Sequence, residues 1–432
     1  MESHSNIPSP VGPLRFRRPD RSQTQMVPLS LEETVPPEHH VRVLWDLVER
    51  LDLSGFTQGL KVSEGQAGRS ATDVRLLVAL WLYAATQGVG SARELDRLCK
   101  DHAAYRWLCG GVPVNYHTLS DFRVDHENAV DGLMTEVLAM LLERKLVSVH
   151  RISQDGMRVR ASAGKGSFRR ERRLKDLLEQ AKGQVEALKA QREAPASVVR
   201  NTRQRATRER AARERSERVH RALGALEEIK KVKAKARNNN RDKPSEPRAS
   251  TTDSEARVMK MPDGGFRPAY NVQFATDTAS RAIVGVNVTN EGSDKAQSEP
   301  MREHVEEHTG APVKEHLMDG GFVKLEQIKA AEQTGVLVYA PPQGGRGEID
   351  PCTVRKDDSP EIAAWRTRMA SEEGKRIYKE RASTSETVNA DLRSYRGLGR
   401  LLVRGLRKVR CVALWSALAY NLMHFGRALL MN

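Results

Sequence analysis

The stretch Ala269-Tyr-Asn-Val-Gln-Phe-Ala-Thr-Asp277 decides how this chain can fold. Its Tyr, Val and Phe alternate along the segment, and a two-residue period of apolar side chains is typical of a β-strand. The stretch Ala282-Ile-Val-Gly-Val-Asn-Val-Thr289 predicts a further strand directly after it. Helix and strand signals then alternate, over residues 295–308, 316–318, 325–333 and 336–340. Paired strands followed by alternating helices and strands predict an α/β (α+β) fold with a mixed sheet.

A β-hairpin is predicted before these elements. Val147, Val149 and Ile152 precede Asp155, and the run from Met157 to Ala161 is interpreted as the return strand. With this hairpin in front, the strands form a meander that is followed by alternating α and β elements. That order of elements is the order of a ribonuclease-H-like sheet.

Residues 165–250 interrupt this pattern between the hairpin and the next strand. From Lys165 to Arg248 there are 26 Lys or Arg and 12 Asp or Glu, an excess of 14 in a chain of net charge +15. Apolar residues at heptad spacing predict two antiparallel helices, a basic coiled-coil insertion. Contact with DNA phosphates is favoured by the charge excess. Pairing of subunits and a merely solvated helical surface remain open.

The rest of the chain divides into segments that differ in composition and in the periodicity of their apolar residues. Residues 1–38 are rich in Pro, Ser and Arg and are expected to form a flexible arm. Residues 39–146 predict an all-helical N-terminal domain, in which a glycine turn at 87–90 separates two helices. That pattern is compatible with DNA-groove binding and equally with an ordinary helical hairpin. Residues 147–432 form the second domain, with the insertion 165–250 and C-terminal helices over 380–432.

The net charge of the chain indicates which class of binding partner is favoured. A net charge of +15 and a pI near 9.7 favour a polyanion, nucleic acid before membrane. The four cysteines lack metal-binding spacing, and the N-terminus lacks the pattern of a signal peptide. The apolar run from Val412 to Met431 is interrupted by polar residues and is expected to be a buried core helix. We therefore expect a soluble, cytoplasmic, nucleoid-associated protein without a membrane partner.

Three acidic residues are candidates for a shared metal site. Asp155 follows the first predicted strand, Asp319 follows the strand at 316–318, and Glu386 opens a basic, helix-prone tail. Mg²⁺ prefers oxygen ligands, and phosphodiester chemistry uses two cations roughly 3.5–4 Å apart. Carboxylates from separate elements can meet at such a site. Taken singly, each of the three also fits an ordinary turn or a solvated ion pair.

Three segments around these acids carry a resemblance to a known family. They are Ser153-Gln-Asp-Gly-Met-Arg-Val-Arg-Ala-Ser162, Met318-Asp-Gly-Gly-Phe322, and Tyr378-Lys-Glu-Arg381 with Glu386. The chain resembles a bacterial insertion-sequence DDE transposase there. Residues 250–260, 264–273, 288–295 and 402–409 are similar to the same group, and residues 26–54 resemble its helical N-terminal domain. The resemblance therefore covers nearly the whole chain.

The resemblance implies specific roles for six residues. It implies that Asp155, Asp319 and Glu386 are the catalytic metal ligands for two Mg²⁺ ions, for which Mn²⁺ can substitute. Tyr378, Arg381 and Arg393 would belong to a Tyr-x-x-Arg…Glu…Lys signature near the scissile phosphate. Two departures stand out: four residues rather than three separate Arg381 from Glu386, and Arg393 holds the Lys position. Arginine keeps the charge and can bind phosphate through two hydrogen bonds.

An enzyme of this family would act on DNA. The resemblance implies binding of terminal inverted repeats, Mg²⁺-dependent cleavage at the element ends, and attack of the freed 3′-hydroxyl on target DNA. A homodimer is expected.

Two alternatives stay open from the sequence. The first is a transposase-derived DNA-binding protein that has lost cleavage. The second is a zinc metallopeptidase, because His304-Val-Glu-Glu-His308 matches a zinc-binding pattern with both imidazoles on one helix face. The sequence offers no evident third zinc ligand, so the peptidase is the weaker alternative.

Overall fold

The N-terminal part is helical in the structure, a computed structural model that describes residues 21–22, 30–58, 70–193, 202–236, 246–344 and 350–431. Its helices are α1 (His40–Arg50), α2 (Ser54–Thr57), α3 (Val74–Thr86), α4 (Ala92–Asp101), α5 (Ala103–Cys109), α6 (Tyr116–Asp125) and α7 (Glu127–Glu143). The helical character predicted for residues 39–146 agrees with them. The arm predicted over residues 1–38 lies mostly outside the described residues.

Sequence signals explain where these helices begin and end. The Asp73 carboxylate accepts a hydrogen bond from the amide of Arg75 at the start of α3. The Ser91 hydroxyl accepts one from the amide of Glu94 at the start of α4. Gly88 follows α3 with a φ of 69°, and a Cβ atom there would lie 2.7 Å from the main-chain oxygen of Tyr395. The turn after α3 therefore requires glycine both for its backbone and for the close approach of another segment.

A mixed sheet follows the helical part. Its strands are β1 (Arg151–Arg160), β4 (Arg257–Lys260), β5 (Phe266–Asp277), β6 (Ile283–Thr289), β7 (Glu315–Leu317) and β8 (Leu337–Tyr339), while β2 (Phe168–Arg169) and β3 (Ala249–Ser250) form a separate pair. The sheet order is β4-β5-β1-β7-β8, with β6 also paired to β5. β1 is antiparallel to β5 and parallel to β7, and β7 is parallel to β8. The α/β fold predicted from the sequence is confirmed at this level.

The hairpin predicted around Asp155 is wrong. β1 runs without interruption from Ile152, opposite Asp277, to Arg160, opposite Ala269. Asp155 thus lies in the middle of a strand and not at its end. The Asp-Gly pair therefore makes no turn. Glycine is required at position 156 because a Cβ atom there would clash with Gln273 and Asp294.

The insertion consists of α8 (Glu171–Glu193) and α9 (Thr202–Ala236). They run antiparallel, since Glu171 pairs with Lys230 and Gln184 accepts from Arg215 further along. Their small apolar core is separate from the main one and contains Leu174, Val219, Ala222, Leu226 and Ala249. β2 and β3 pair at the base of the two helices. Two antiparallel helices were predicted; the coiled-coil packing stays a prediction.

Helices complete the fold around the sheet. They are α10 (Ser298–Thr309), α11 (Leu325–Gln333), α12 (Pro360–Ala370), α13 (Glu372–Arg381), a π-helical segment (Ala382–Glu386), α14 (Thr387–Ser394) and α15 (Leu406–Leu430). α15 is mostly buried and packs against α1, α3, α7 and β6, as expected for a core helix. One hydrophobic core consequently joins the N-terminal helices to the sheet. No helix in the described part of the chain is long and apolar enough to cross a membrane.

Candidate active site

Asp155 lies on the central strand β1 with its carboxylate held from several sides. Its Oδ1 accepts a hydrogen bond from the amide of Gly156 at 3.0 Å and pairs with Arg381 Nη2 at 3.0 Å. Its Oδ2 accepts from Asn389 Nδ2 at 3.0 Å. Burial raises the pKa of Asp155, the charge of Arg381 and the bond from Asn389 oppose this rise, and the charge of Asp319 adds to it.

Asp319 comes just after β7 and reaches the same edge. Leu317 of β7 is paired with Ser153 of β1, so continuing this parallel register brings Asp319 level with Asp155. The Asp319 carboxylate caps a short 3₁₀ turn by accepting from the amide of Gly321 at 2.6 Å. The negative charge of Asp319 helps to raise the pKa of the Asp155 carboxyl, which agrees with the two carboxylates being close to each other. Asp155 on β1 and Asp319 just after the neighbouring parallel strand β7 therefore lie at the same level of the sheet.

Glu386 comes to these acids from the C-terminal helices. It ends the π-helical segment after α13, and its Oε1 pairs with Arg381 Nη1 at 2.5 Å. A hydrogen bond of 2.8 Å between the hydroxyls of Ser385 and Ser153 joins this segment to β1. The Glu386 side chain is half exposed, so this side of the site is open to solvent.

The π-helical segment explains the spacing that departs from the family pattern. A π-turn accommodates one extra residue in a helix, and such turns are frequent at functional sites. Here it spans the residues between Arg381 and Glu386, which are five positions apart and still form an ion pair. The additional residue is absorbed by the turn, so both side chains remain on one face.

Arg381 is the centre of this cluster. Its side chain is 10% exposed and bridges Asp155 and Glu386. Burial favours its neutral form, but the negative charges of Asp155, Asp319 and Glu386 act against this, and its pKa is raised. Burial raises the pKa of the half-buried Tyr378, while the positive charge of Arg381 opposes that rise. Arg381 and Tyr378 therefore lie among the three acids.

One predicted site residue makes no hydrogen bond or ion pair with the acids, and one neighbour of the acids was missed. Arg393 is exposed near the end of α14 and makes no side-chain hydrogen bond or ion pair with the described residues. Asn389 was not identified from the sequence, although it binds Asp155 directly. It follows Glu386 by three positions on a helix, and this spacing places the two side chains on the same face. This three-residue spacing was the only sequence feature that could have identified Asn389.

The donor atoms fit a hard divalent cation. Asp155, Asp319 and Glu386 supply carboxylate oxygens, the ligands that Mg²⁺ prefers. Asn389 adds a buried amide oxygen that has no hydrogen-bond partner among the described residues. A cavity of about 550 Å³ adjoins Tyr378 and is lined in part by the basic residues Lys375, Arg376 and Lys379. The cluster is thus acidic at its centre and basic beside it.

Comparison with known proteins gives two matches to family models. Residues 29–125 match the transposase domain (DUF772), which covers most of the N-terminal helices. Residues 351–425 match the transposase DDE domain, which includes Tyr378, Arg381 and Glu386. No curated protein and no solved structure gives a significant match. The two family models, one for each end of the chain, support its assignment to the insertion-sequence DDE transposases.

Proposed function

We propose that this chain binds the terminal inverted repeats of an insertion sequence, cleaves DNA at the element ends and transfers the freed strand to target DNA. The observation that carries this proposal is the meeting of Asp155, Asp319 and Glu386 around Arg381. These residues come from a strand, the turn that follows a neighbouring strand, and a helical segment, which are far apart in the sequence. An ordinary surface ion pair would not require carboxylates from three separate elements.

The catalytic part is proposed to have a ribonuclease-H-like fold. Three observations support it: β1 is central, it pairs antiparallel with β5, and it pairs parallel with β7. β6 extends the antiparallel side and β8 extends the parallel side. The insertion α8–α9 then interrupts the fold between β1 and β5.

Each residue of the cluster has a proposed role. Asp155, Asp319 and Glu386 would hold two Mg²⁺ ions, or Mn²⁺ in their place. When bound, these ions stabilise charge on the attacking and leaving oxygens of the phosphodiester. Asn389 orients the Asp155 carboxylate through its hydrogen bond. Arg381 neutralises the acids and, with Tyr378, is placed to contact the scissile phosphate.

The basic cavity beside Tyr378 is proposed to receive the DNA strand that leads into the site. Lys375, Arg376 and Lys379 lie on α13, the helix that ends in Arg381. Phosphates bind such cations without sequence preference. Arg393 is proposed to contact phosphate further along α14, where its exposed side chain is accessible.

A cleavage assay tests the function and separates it from the inactive alternative. DNA carrying the inverted repeats that flank the gene is incubated with the full-length protein and Mg²⁺. An active transposase nicks this DNA at the repeat boundary, and chelation of the metal stops the reaction. Binding of the repeats without any cleavage would support a transposase-derived DNA-binding protein in its place.

Replacing Arg381 by Gln should make the stability of the protein depend on Mg²⁺. Without Arg381, the three carboxylates repel one another and Asp155 loses its main countercharge; the cost is at most ~3 kcal/mol, since Glu386 is half exposed. Bound Mg²⁺ would restore the missing positive charge. We expect a lower Tm without metal and a larger rise on adding millimolar Mg²⁺ than in the wild type, measured by calorimetry.

The matched control is Arg381→Lys, which keeps the charge and should respond to Mg²⁺ nearly as the wild type does. A Tm that responds equally in the wild type and Arg381→Gln would contradict the proposal that Arg381 and the metal neutralise the same carboxylates.

The insertion is proposed to bind DNA backbone. Arg210, Arg218 and Arg221 of α9 are exposed. Arg218 and Arg221 also line a cavity of about 540 Å³ together with Arg404 and Lys408. The cations on α4 are less available, because Arg97 pairs with two acids of its own helix. Backbone affinity is therefore assigned to the insertion, and discrimination of element ends to the N-terminal helices.

Deleting residues 171–245 should lower the salt dependence of DNA binding. The ends of the insertion are close, because Arg170 pairs with Glu246 at 2.9 Å, so a short Gly-Ser linker can join them. Its apolar core is separate from the main core, so the remaining fold should persist. The log–log slope of affinity against salt should become shallower by about 0.9 for each lost phosphate contact. Fluorescence anisotropy with random and element-end DNA measures this slope.

A triple substitution provides a control without a deletion. Changing Arg210, Arg218 and Arg221 to Gln removes charge but keeps both helices. The slope should fall for both DNA sequences alike. An unchanged slope in both variants would indicate a spacer or a subunit contact.

A further inference from the structure

Two histidines and an aspartate meet outside the candidate active site. His304 and His308 lie one turn apart on α10, with ring centroids 4.0 Å apart. Asp131 of α7 faces them, and its Oδ2 is 3.3 Å from His308 Nε2. One ligand atom from each of the three lies within 4.8 Å of the others. The third ligand that the sequence did not reveal is therefore supplied by the N-terminal helical part.

The hydrogen bonds around these residues orient them as metal ligands. His308 Nδ1 is 2.9 Å from the carbonyl oxygen of His304, an acceptor, so Nδ1 carries the hydrogen in the neutral ring. Loss of the proton that Nε2 donates to Asp131 would then leave an Nε2 lone pair for a metal ion. Arg410 holds Asp131 by donating to Oδ1 at 2.9 Å, which leaves Oδ2 directed to the histidines. Such outer contacts are typical of metal-binding histidines and carboxylates.

A simple ion pair accounts for only part of the cluster. The hydrogen bond with Asp131 raises the pKa of His308, as expected for such a pair. His304 is different: burial lowers its pKa to about 4, and its ring makes no hydrogen bond to the described residues. A neutral, partly buried imidazole beside a His–Asp pair has a lone pair to offer but no partner.

We propose that Asp131, His304 and His308 bind one Zn²⁺ ion, or a transition metal of the same kind, and so join α7 to α10. Two imidazole nitrogens and one carboxylate oxygen are a usual zinc ligand set. Ligand atoms in a tetrahedral site are about 3.3 Å apart, as follows from bond lengths of about 2.0–2.1 Å, so small side-chain rotations complete the site. Its mixed nitrogen and oxygen donors differ from the oxygen donors of the Asp155 cluster, and the proposal is independent of DNA cleavage.

The test is metal binding by the full-length protein after removal of metal with a chelator. Zn²⁺ is titrated in competition with a chromophoric chelator, and Co²⁺ is titrated with detection of its visible absorption. We expect one equivalent of tightly bound metal and a rise in Tm. Because loss of outer-shell partners costs 10–100-fold in affinity, loss of a ligand in His304→Gln or His308→Gln should cost about 100-fold or more.

Two controls make the result specific. His424→Gln removes a histidine whose Nδ1 also approaches the carbonyl oxygen four residues before it, but which belongs to no such cluster within the described part of the chain. Asp155→Asn removes a ligand of the other site. Both should keep the full equivalent of Zn²⁺. Absence of Zn²⁺ binding in the wild type would overturn the proposal, as would wild-type affinity in both His304→Gln and His308→Gln with circular dichroism spectra unchanged.

Discussion

Asp155→Asn, Asp319→Asn and Glu386→Gln should each reduce Mg²⁺-dependent cleavage of element-end DNA by about a thousandfold or more. Each change removes the negative charge that would hold a metal while keeping the size and shape of the side chain. A metal contributes several kcal/mol of transition-state stabilisation, and roughly 4 kcal/mol corresponds to a factor of 1,000 in rate. Single-turnover cleavage measures the loss, and a DNA-binding assay should show nearly unchanged affinity.

Amide variants are preferable to alanine at these positions. Asp155→Ala would remove one of the two carboxylates that pair with the buried Arg381 and would destabilise the site, since Arg381 is 10% exposed. Asn and Gln keep oxygen acceptors for Arg381 and Gly321. Glu373→Gln is the matched control, because Glu373 is an exposed acid on α13 outside the cluster. A wild-type rate in any one of the three variants would exclude that residue as a ligand.

The candidate site was predictable where local sequence signals and the family pattern agree. The three acids and Arg381 were named from the sequence, and the structure brings them together. The number of residues between Arg381 and Glu386 differs from the family pattern, because the π-helical turn that accommodates the extra residue could not be predicted from the sequence. The turn depends on contacts such as the Ser385–Ser153 hydrogen bond, which joins segments distant in the chain.

Long-range packing explains the main errors. Asp155-Gly156 has the residue types of a turn, but it lies within β1, which pairs with β5 on one side and with β7 on the other. The glycine leaves space for the side chains of Gln273 and Asp294. Asp131 was not connected with His304 because the two helices that carry them are distant in the sequence. A local sequence pattern predicts a helix or a strand, whereas long-range contacts in the fold determine which residues lie next to it.

The position of α15 was predicted only in part. Its apolar run predicted a buried helix, and the structure confirms this. The sequence does not reveal that α15 packs against N-terminal helices on one side and β6 on the other. Because of this packing, residues 39–146 and the sheet share one core, and the domain boundary near residue 146 stays a prediction. The two parts are expected to unfold together.

Replacing Asn421 by Leu should destabilise both parts of the protein at once. Asn421 is fully buried on α15; its Oδ1 accepts from the amide of Ile283 at 2.9 Å and its Nδ2 donates to the Ile283 carbonyl at 2.8 Å. Leucine has the same branching and the same number of side-chain heavy atoms but leaves both main-chain groups at the start of β6 buried without partners. At about 1–3 kcal/mol for each group, the free energy of unfolding should fall by roughly 2–6 kcal/mol.

Urea unfolding followed by far-UV circular dichroism and tryptophan fluorescence measures this effect. The fluorescence reports mainly on the helical core, because Trp81 and Trp415, like Trp45 and Trp107, lie there and only Trp365 lies elsewhere, on α12; the dichroism reports on the whole fold. Both signals should shift to lower urea together, because α15 joins the two parts. Met423→Ala is the control: Met423 is 37% exposed on the same helix, and its loss should change stability by only about 0.5 kcal/mol. If Asn421→Leu shifted only one signal, the two parts would unfold independently and α15 would not couple them.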